Sequence, residues 1–359
     1  MRQYFRKWID RYFSDPQVLS LIFLLVLGAV IIFWFGHMLI PFFAAIIIAY
    51  LLEGIVSRLE GLHMPRRAAA LVVFLLFIVL ILLLIVGFVP LLSSQVGQLL
   101  QDVPSMIVAW RKGLILLPEK YPDLISEAHI NQVLNLFNME FTKFGRHMLS
   151  FSLASLRGII TLVVYLILVP LMVYFFLKDK ELILEWASTF LPKNRVMAAE
   201  VWTEVNQQII NYIRGKSYEI LIVWGASYAL FVLLRLDFAL LLSVFVGLSV
   251  LIPYIGAIFM FFPVTLIAFF QWGVDMHVVY TMIAYIILQQ LDGNLLAPLL
   301  LAGVVNLHPV AIILAILIFG GLWGFWGLVF AIPLATLIHA VMKAWISRIR
   351  SEVQTDTGE

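Results

Sequence analysis

Along the chain, apolar residues gather into runs of membrane length separated by short polar connectors. Residues 68–92 are the clearest case: about 25 positions of almost unbroken Leu, Ile, Val and Phe, against the ~20 that an α-helix needs to cross a hydrocarbon core. Runs at 18–35, 149–177, 218–234 and 328–342 predict further spans, and a turn at Gly36-His37 separates 18–35 from a shorter run at 38–52. Residues 238–252 and 255–270 are each only about 15 long, so at ~1.5 Å per residue each covers ~22–24 Å of a ~30 Å core. Joined at Pro253-Tyr254-Ile255-Gly256, they make two short spans or one re-entrant hairpin, the hairpin being the preferred reading. The expectation is an all-α polytopic membrane protein with about eight transmembrane helices plus that hairpin.

Between the runs the pattern changes. Residues 93–146 carry charges throughout, with apolar positions at Val96, Leu99, Leu100, Val103, Ile107 and Trp110 and again from Ile130 to Met148 at three-and-four spacing. This predicts amphipathic helices lying on the membrane or against sister subunits, interrupted at Pro104, Pro118 and Pro122, or a compact extramembrane hairpin. Residues 181–216 read as aqueous, with a helix whose apolar side is Val201, Val205, Ile209 and Ile213 and whose polar side is a solvated face or a docking surface. Residues 1–15 interleave Arg2, Arg6, Lys7 and Arg11 with aromatics, as an amphipathic helix on the inner membrane surface does.

The candidate chemistry lies between 278 and 333. There a membrane-length apolar stretch is interrupted by Gln289, Gln290, Asp292, Gly293 and Asn294. Polar side chains in hydrocarbon are costly unless buried in protein or lining a wet cavity, so the cluster is a substrate-binding or coupling site by expectation. Gly293 and Pro298 predict a discontinuous helix whose freed backbone groups face a cavity. Amides both donate and accept, which suits a neutral polyhydroxy or carbonyl solute better than a bare ion. Asp292 either couples transport to protons or caps a helix, and His308 before Pro309 is a turn residue or a proton relay. Pro253, Gly256, Pro309, Gly320, Gly321 and Gly324 are the remaining hinge or helix-break candidates.

Composition narrows the class. With 63% hydrophobic and 12% charged residues the chain does not read as soluble, and with no cysteine it has no thiol chemistry or disulfides. A net charge of +2 without a basic patch gives no reason to expect nucleic acid. Zinc-ligand spacing, a phosphate loop and a nucleophile triad are all missing, so neither an enzyme nor a cofactor or metal is expected. Basic residues cluster at 2–11, 58–67, 178–180, 193–216 and 343–350, which places both termini in the cytoplasm and 93–146 outside. Five regions follow: 1–92, with the surface helix and first three spans; 93–148, extracytoplasmic or interfacial; 149–217, a span and cytoplasmic helices; 218–345, a transport core; and 346–359, a cytoplasmic tail. An echo between Leu39-Ile40-Pro41-Phe42-Phe43-Ala44 and Leu251-Ile252-Pro253-Tyr254-Ile255-Gly256 raises an inverted repeat.

Ile252-Pro253-Tyr254-Ile255-Gly256, Asp292-Gly293-Asn294 with Pro298, Leu307-His308-Pro309, Gly320-Gly321 with Gly324 and Gly327, and Ile332-Pro333 together resemble the signature of the autoinducer-2 exporter family of bacterial permeases. Lys178-Asp179-Lys180-Glu181 and Asn211-Tyr212-Ile213-Arg214-Gly215-Lys216 are similar to its PerM-like branch. The resemblance implies an inner-membrane homo-oligomer, a pentamer, that exports a small solute of autoinducer-2 type by an elevator-like displacement. Asp292-Gly293-Asn294 departs from relatives in which an acidic residue directly precedes Asn. Three functions follow: a secondary transporter for a small polar solute, a sodium/proton antiporter with Asp292 as the exchange carboxylate, and a non-transporting membrane scaffold.

Overall fold

The computed structural model describes residues 16–115, 161–189, 196–301 and 307–357, and among them every regular element is helical. The elements are α1 (Pro16–Gly61), α2 (Arg66–Leu83), a π-helical turn (Leu84–Phe88), α3 (Val89–Ile115), α4 (Thr161–Lys178), α5 (Lys180–Thr189) and α6 (Val196–Leu233). They continue with α7 (Ala239–Ser249), α8 (Ile255–Trp272), α9 (Met276–Leu291), a second π-helical turn (Asp292–Leu296), α10 (Ala297–Leu300) and α11 (Pro309–Thr357). Among the described residues, seven helices are long and apolar enough to cross a membrane. The chain is thus an all-α polytopic membrane protein. The surface helix expected at 1–15 and most of the amphipathic segment, with Pro118 and Pro122, lie outside the described residues.

Several predicted breaks are absent. Helix α1 runs through Gly36-His37 without a turn, and α3 runs through Pro104. For α1 the physical reason is that in an apolar setting a backbone turn strands N–H and C=O groups that water cannot satisfy, so the helix is kept across Gly36-His37. The sequence echo also fails as a structural repeat, because 39–44 lies inside α1 whereas 251–256 forms the connection between α7 and α8.

The chain forms two compact units, residues 1–76, 168–217 and 299–359 in the first and 77–167 and 218–298 in the second. In the first, charged groups join the ends of helices: Arg66 donates to Glu53 at 3.2 Å, to Glu60 at 3.3 Å and to the Leu177 carbonyl at 2.8 Å, while Lys180 meets Glu53 at 2.8 Å. Tyr50 donates to the Asn206 side chain at 2.8 Å, and Val201 and Val205 bury their apolar side against Ala340. Helix α11 is no straight rod. Gly324 adopts φ 60°, ψ −134°, a region that only glycine enters readily, and the chain folds back there. A Cβ on Gly327 would overlap the Phe319 carbonyl, so the two arms approach to backbone contact, with Ala315, Ile316 and Ala331 buried between them.

In the second unit α7 and α8 form an antiparallel pair joined at Pro253-Tyr254. A Cβ on Gly256 would overlap the Ser249 carbonyl, which is why a glycine follows the tip. Gln95 accepts from the Leu241 N–H at 2.9 Å and caps α7, and Gln271 spans the α6–α7 connector by accepting from Asp237 N–H and donating to the Arg235 carbonyl. The core is Val223, Phe231, Leu241, Leu242, Val246, Met260, Val264, Ile267 and Tyr285.

Candidate functional site

Helix α9 starts at Asp275, whose carboxylate accepts from the His277 N–H at 2.8 Å, and its residues Val278, Thr281 and Tyr285 are buried. Spacings of three and four carry that face on to Gln289 and Asp292, both half-buried. Gln290 and Asn294 fall on the other side, exposed and bonded to each other: the Asn294 amide donates to the Gln290 side-chain oxygen at 2.8 Å and to its backbone carbonyl at 3.0 Å. The predicted cluster is therefore two separate pairs. The inward pair includes the buried Gln289 amide N–H, which has no acceptor in the protein, and the outward pair largely satisfies itself.

The helix is not discontinuous at Gly293 or Pro298. Asp292–Leu296 is one π-helical turn and Ala297–Leu300 resumes the α-helix, so the residue surplus is absorbed as a widened turn that keeps backbone groups paired. Beyond Gly293 lies open space, and Pro298 is exposed.

Tyr285 was not among the expected site residues. Its side chain is 2% exposed and its hydroxyl donates to the Ala257 carbonyl in the first turn of α8 at 2.8 Å. The Asp292 carboxyl lies two turns further on the same face, and the Gln289 Nε2, one turn on from Tyr285, is buried without a hydrogen-bond partner in the protein. The signal was available in the sequence as the i, i+4, i+7 spacing of 285, 289 and 292. Lys216 and Glu219, 5% and 2% exposed in α6, are buried charged residues that the sequence pattern does not single out, Lys216 falling in the stretch read as aqueous and Glu219 at the start of the run at 218–234.

Of the other expected residues, His308, Pro309, Gly320, Gly321 and Gly324 belong to the first unit. His308 is exposed and its Nδ1 accepts from the Val310 N–H at 3.3 Å, a local cap on α11 with Pro309 as the first helical residue. Gly320 packs on Leu328, where a Cβ would come within 2.5 Å of its Cδ2, whereas nothing lies near Gly321. Pro253 and Tyr254 form the tip between α7 and α8 in the second unit, where Ile255 N–H bonds the Pro253 carbonyl at 2.7 Å around Tyr254 at φ 64°, ψ −51°. That is a γ-turn of the strained, positive-φ type.

Outside the spans, burial and then the charge of Asp102 push the Asp237 carboxyl above the usual carboxylate range. Among the described residues no group of three or more His, Asp or Glu side chains has the arrangement of a metal site.

A family model described as “AI-2E family transporter” matches residues 21–347. The chain is 45% identical to “Putative permease PerM” of Escherichia coli (strain K12) over 345 residues, covering 96% of this chain and 98% of that protein. It is 28% identical to “Putative transport protein YrrI” of Bacillus subtilis (strain 168), over 87% of this chain and 88% of the relative. “Putative transport protein YueF” of the same organism is 26% identical over 94% and 93% of the two lengths.

Proposed function

The chain belongs to the AI-2E transporter family, and on that premise we propose that it is a secondary transporter of the bacterial inner membrane for a small polar solute of autoinducer-2 type. The observation that carries the reading is the inward pair on α9: Gln289 and Asp292 stand on one face of a membrane-length helix, beside a buried tyrosine. Polar groups held there cost free energy that a purely structural helix avoids, and a buried amide N–H with no protein acceptor suits a hydroxyl or carbonyl oxygen of a solute. Asp292 is the coupling group, taking a proton or sodium ion as the face opens to either side. Gln290, Asn294 and His308 bind solute only secondarily, since each is engaged in a local hydrogen bond. The α7–α8 pair is a re-entrant hairpin bent at Pro253 and Gly256, and α11 bends at Gly324 with Gly320 packed on Leu328. Both termini are cytoplasmic, 93–148 faces outward, and the working form is a homo-oligomer, a pentamer.

Reconstitution into liposomes tests the reading. Autoinducer-2 and a panel of polyols are offered with and without proton and sodium gradients. Gradient-driven movement of one solute, lost in Gln289→Leu and uncoupled from the gradient in Asp292→Asn, is the expected result. Sodium-dependent proton flux with no solute movement would replace it with exchange of cations alone.

A further inference from the structure

We propose that Tyr285 is a positioning residue: its hydroxyl latches the α7–α8 hairpin to the solute-binding face of α9, and releases it by moving from the Ala257 carbonyl towards Asp292. The proposal rests on the reading of that face as the transport site.

Three observations converge on this side chain. First, its bond to Ala257 is the hydrogen bond that reaches across from α9 to the first turn of α8, three residues after the γ-turn at Tyr254. Second, the Ala257 carbonyl is already inside a regular α-helix and accepts from that helix's own N–H groups, so the phenol can leave it without stranding a buried acceptor. Third, an alternative set of partners lies on the same face of α9, in the Gln289 amide one turn on and the Asp292 carboxyl two turns on. A phenolic hydroxyl has one proton to donate, so it holds the hairpin or serves the polar face, but not both. A solute that engages Gln289 and Asp292 takes the phenol's alternative partners and leaves it on Ala257, so binding is linked to the holding of the hairpin. The strained turn next to the tip gives the hairpin a reason to relax once released.

The chain has no cysteine, so a single nitroxide can be attached through Ile258→Cys, at an exposed position in the first turns of α8. Electron paramagnetic resonance in liposomes then reads hairpin motion without reference to any solute. In Tyr285→Phe, which keeps the ring contact with Phe261, the expected result is a narrower central line. In Asp292→Asn with Tyr285 intact, the weaker acceptor leaves the phenol on Ala257, and the line broadens. In the double variant the effect of Asp292→Asn disappears. An unchanged spectrum in Tyr285→Phe, or an Asp292→Asn effect that persists without the hydroxyl, overturns the latch. Loss of solute flux in Asp292→Asn without spectral coupling would keep the transport site and remove only the role of Tyr285.

Discussion

Gly327 lies against the carbonyl oxygen of Phe319 so closely that a single added carbon would overlap it, and Gly256 stands in the same relation to Ser249. Both contacts are glycine on backbone, across the tip of an antiparallel helical pair. Backbone cannot swing aside as a flexible side chain can, so Gly327→Ala and Gly256→Ala should each destabilise their unit by about 3 kcal/mol, near the upper end for overpacking. Gly321→Ala meets open space and should be close to neutral. Thermal unfolding in detergent, read by circular dichroism, separates the three; a neutral Gly327→Ala would mean that the arms of α11 do not pack as described.

Tyr254 occupies a positive-φ γ-turn that suits glycine better than any side chain. Tyr254→Gly and Tyr254→Ala both remove the exposed ring, so the difference between them isolates backbone strain. The glycine variant should be the more stable by about 1 kcal/mol, after part of the gain is lost to its freer unfolded chain. Chemical denaturation midpoints of the two variants decide it.

How far these features are legible in the sequence depends on what surrounds the backbone. The run at 68–92 reads correctly because length and apolarity alone dictate a membrane helix, and the break between α7 and α8 is legible because two short runs flank Pro253-Tyr254-Ile255-Gly256. Asp292-Gly293-Asn294 misleads because these residues favour turns where water can take up the freed backbone groups. In an apolar setting the same residues yield a π-helical turn. The similar hexapeptides at 39–44 and 251–256 share Leu-Ile-Pro and then diverge: Tyr254 takes the positive-φ turn and Gly256 permits the close approach to Ser249, whereas Phe42-Phe43-Ala44 continues a helix. Tyr285 is hidden among aromatics that look like core, and only the pairing of α9 with α8 gives its hydroxyl a partner.

Glu53 faces two cations, with Arg66 at 3.2 Å and Lys180 at 2.8 Å, and is itself mostly buried. Neutralising it removes the ion pairs to Arg66 and Lys180 and one of its two acceptor oxygens, so Glu53→Gln should cost about 1–2 kcal/mol. Arg66→Lys should not restore the loss of Arg66→Ala, because an ammonium cannot span two carboxylates and a carbonyl as a planar fork does. Unfolding temperatures at low and high salt check both, and a full rescue by lysine would show that charge alone matters.

Asp237 supplies a pH test outside the spans. Its carboxyl is held above the ordinary range by burial and by Asp102, so the folded protein prefers the protonated form and ionisation works against the fold. The stabilising share is fully present below the ordinary carboxylate range and is lost as pH rises through the raised value. Asp237→Asn mimics the neutral form, so at pH 7 it should be more stable than the parent, by only ~0.5 kcal/mol because the group is well exposed to solvent screening. The gain should vanish near pH 3, where the parent is protonated as well. Asp102→Asn should act in the same direction by lowering the Asp237 value, while the backbone bond from Asp237 N–H to Gln271 is untouched in either variant. Unfolding curves across pH 3–8 show the relation, and a gain that grows as pH falls would reverse the assigned sign.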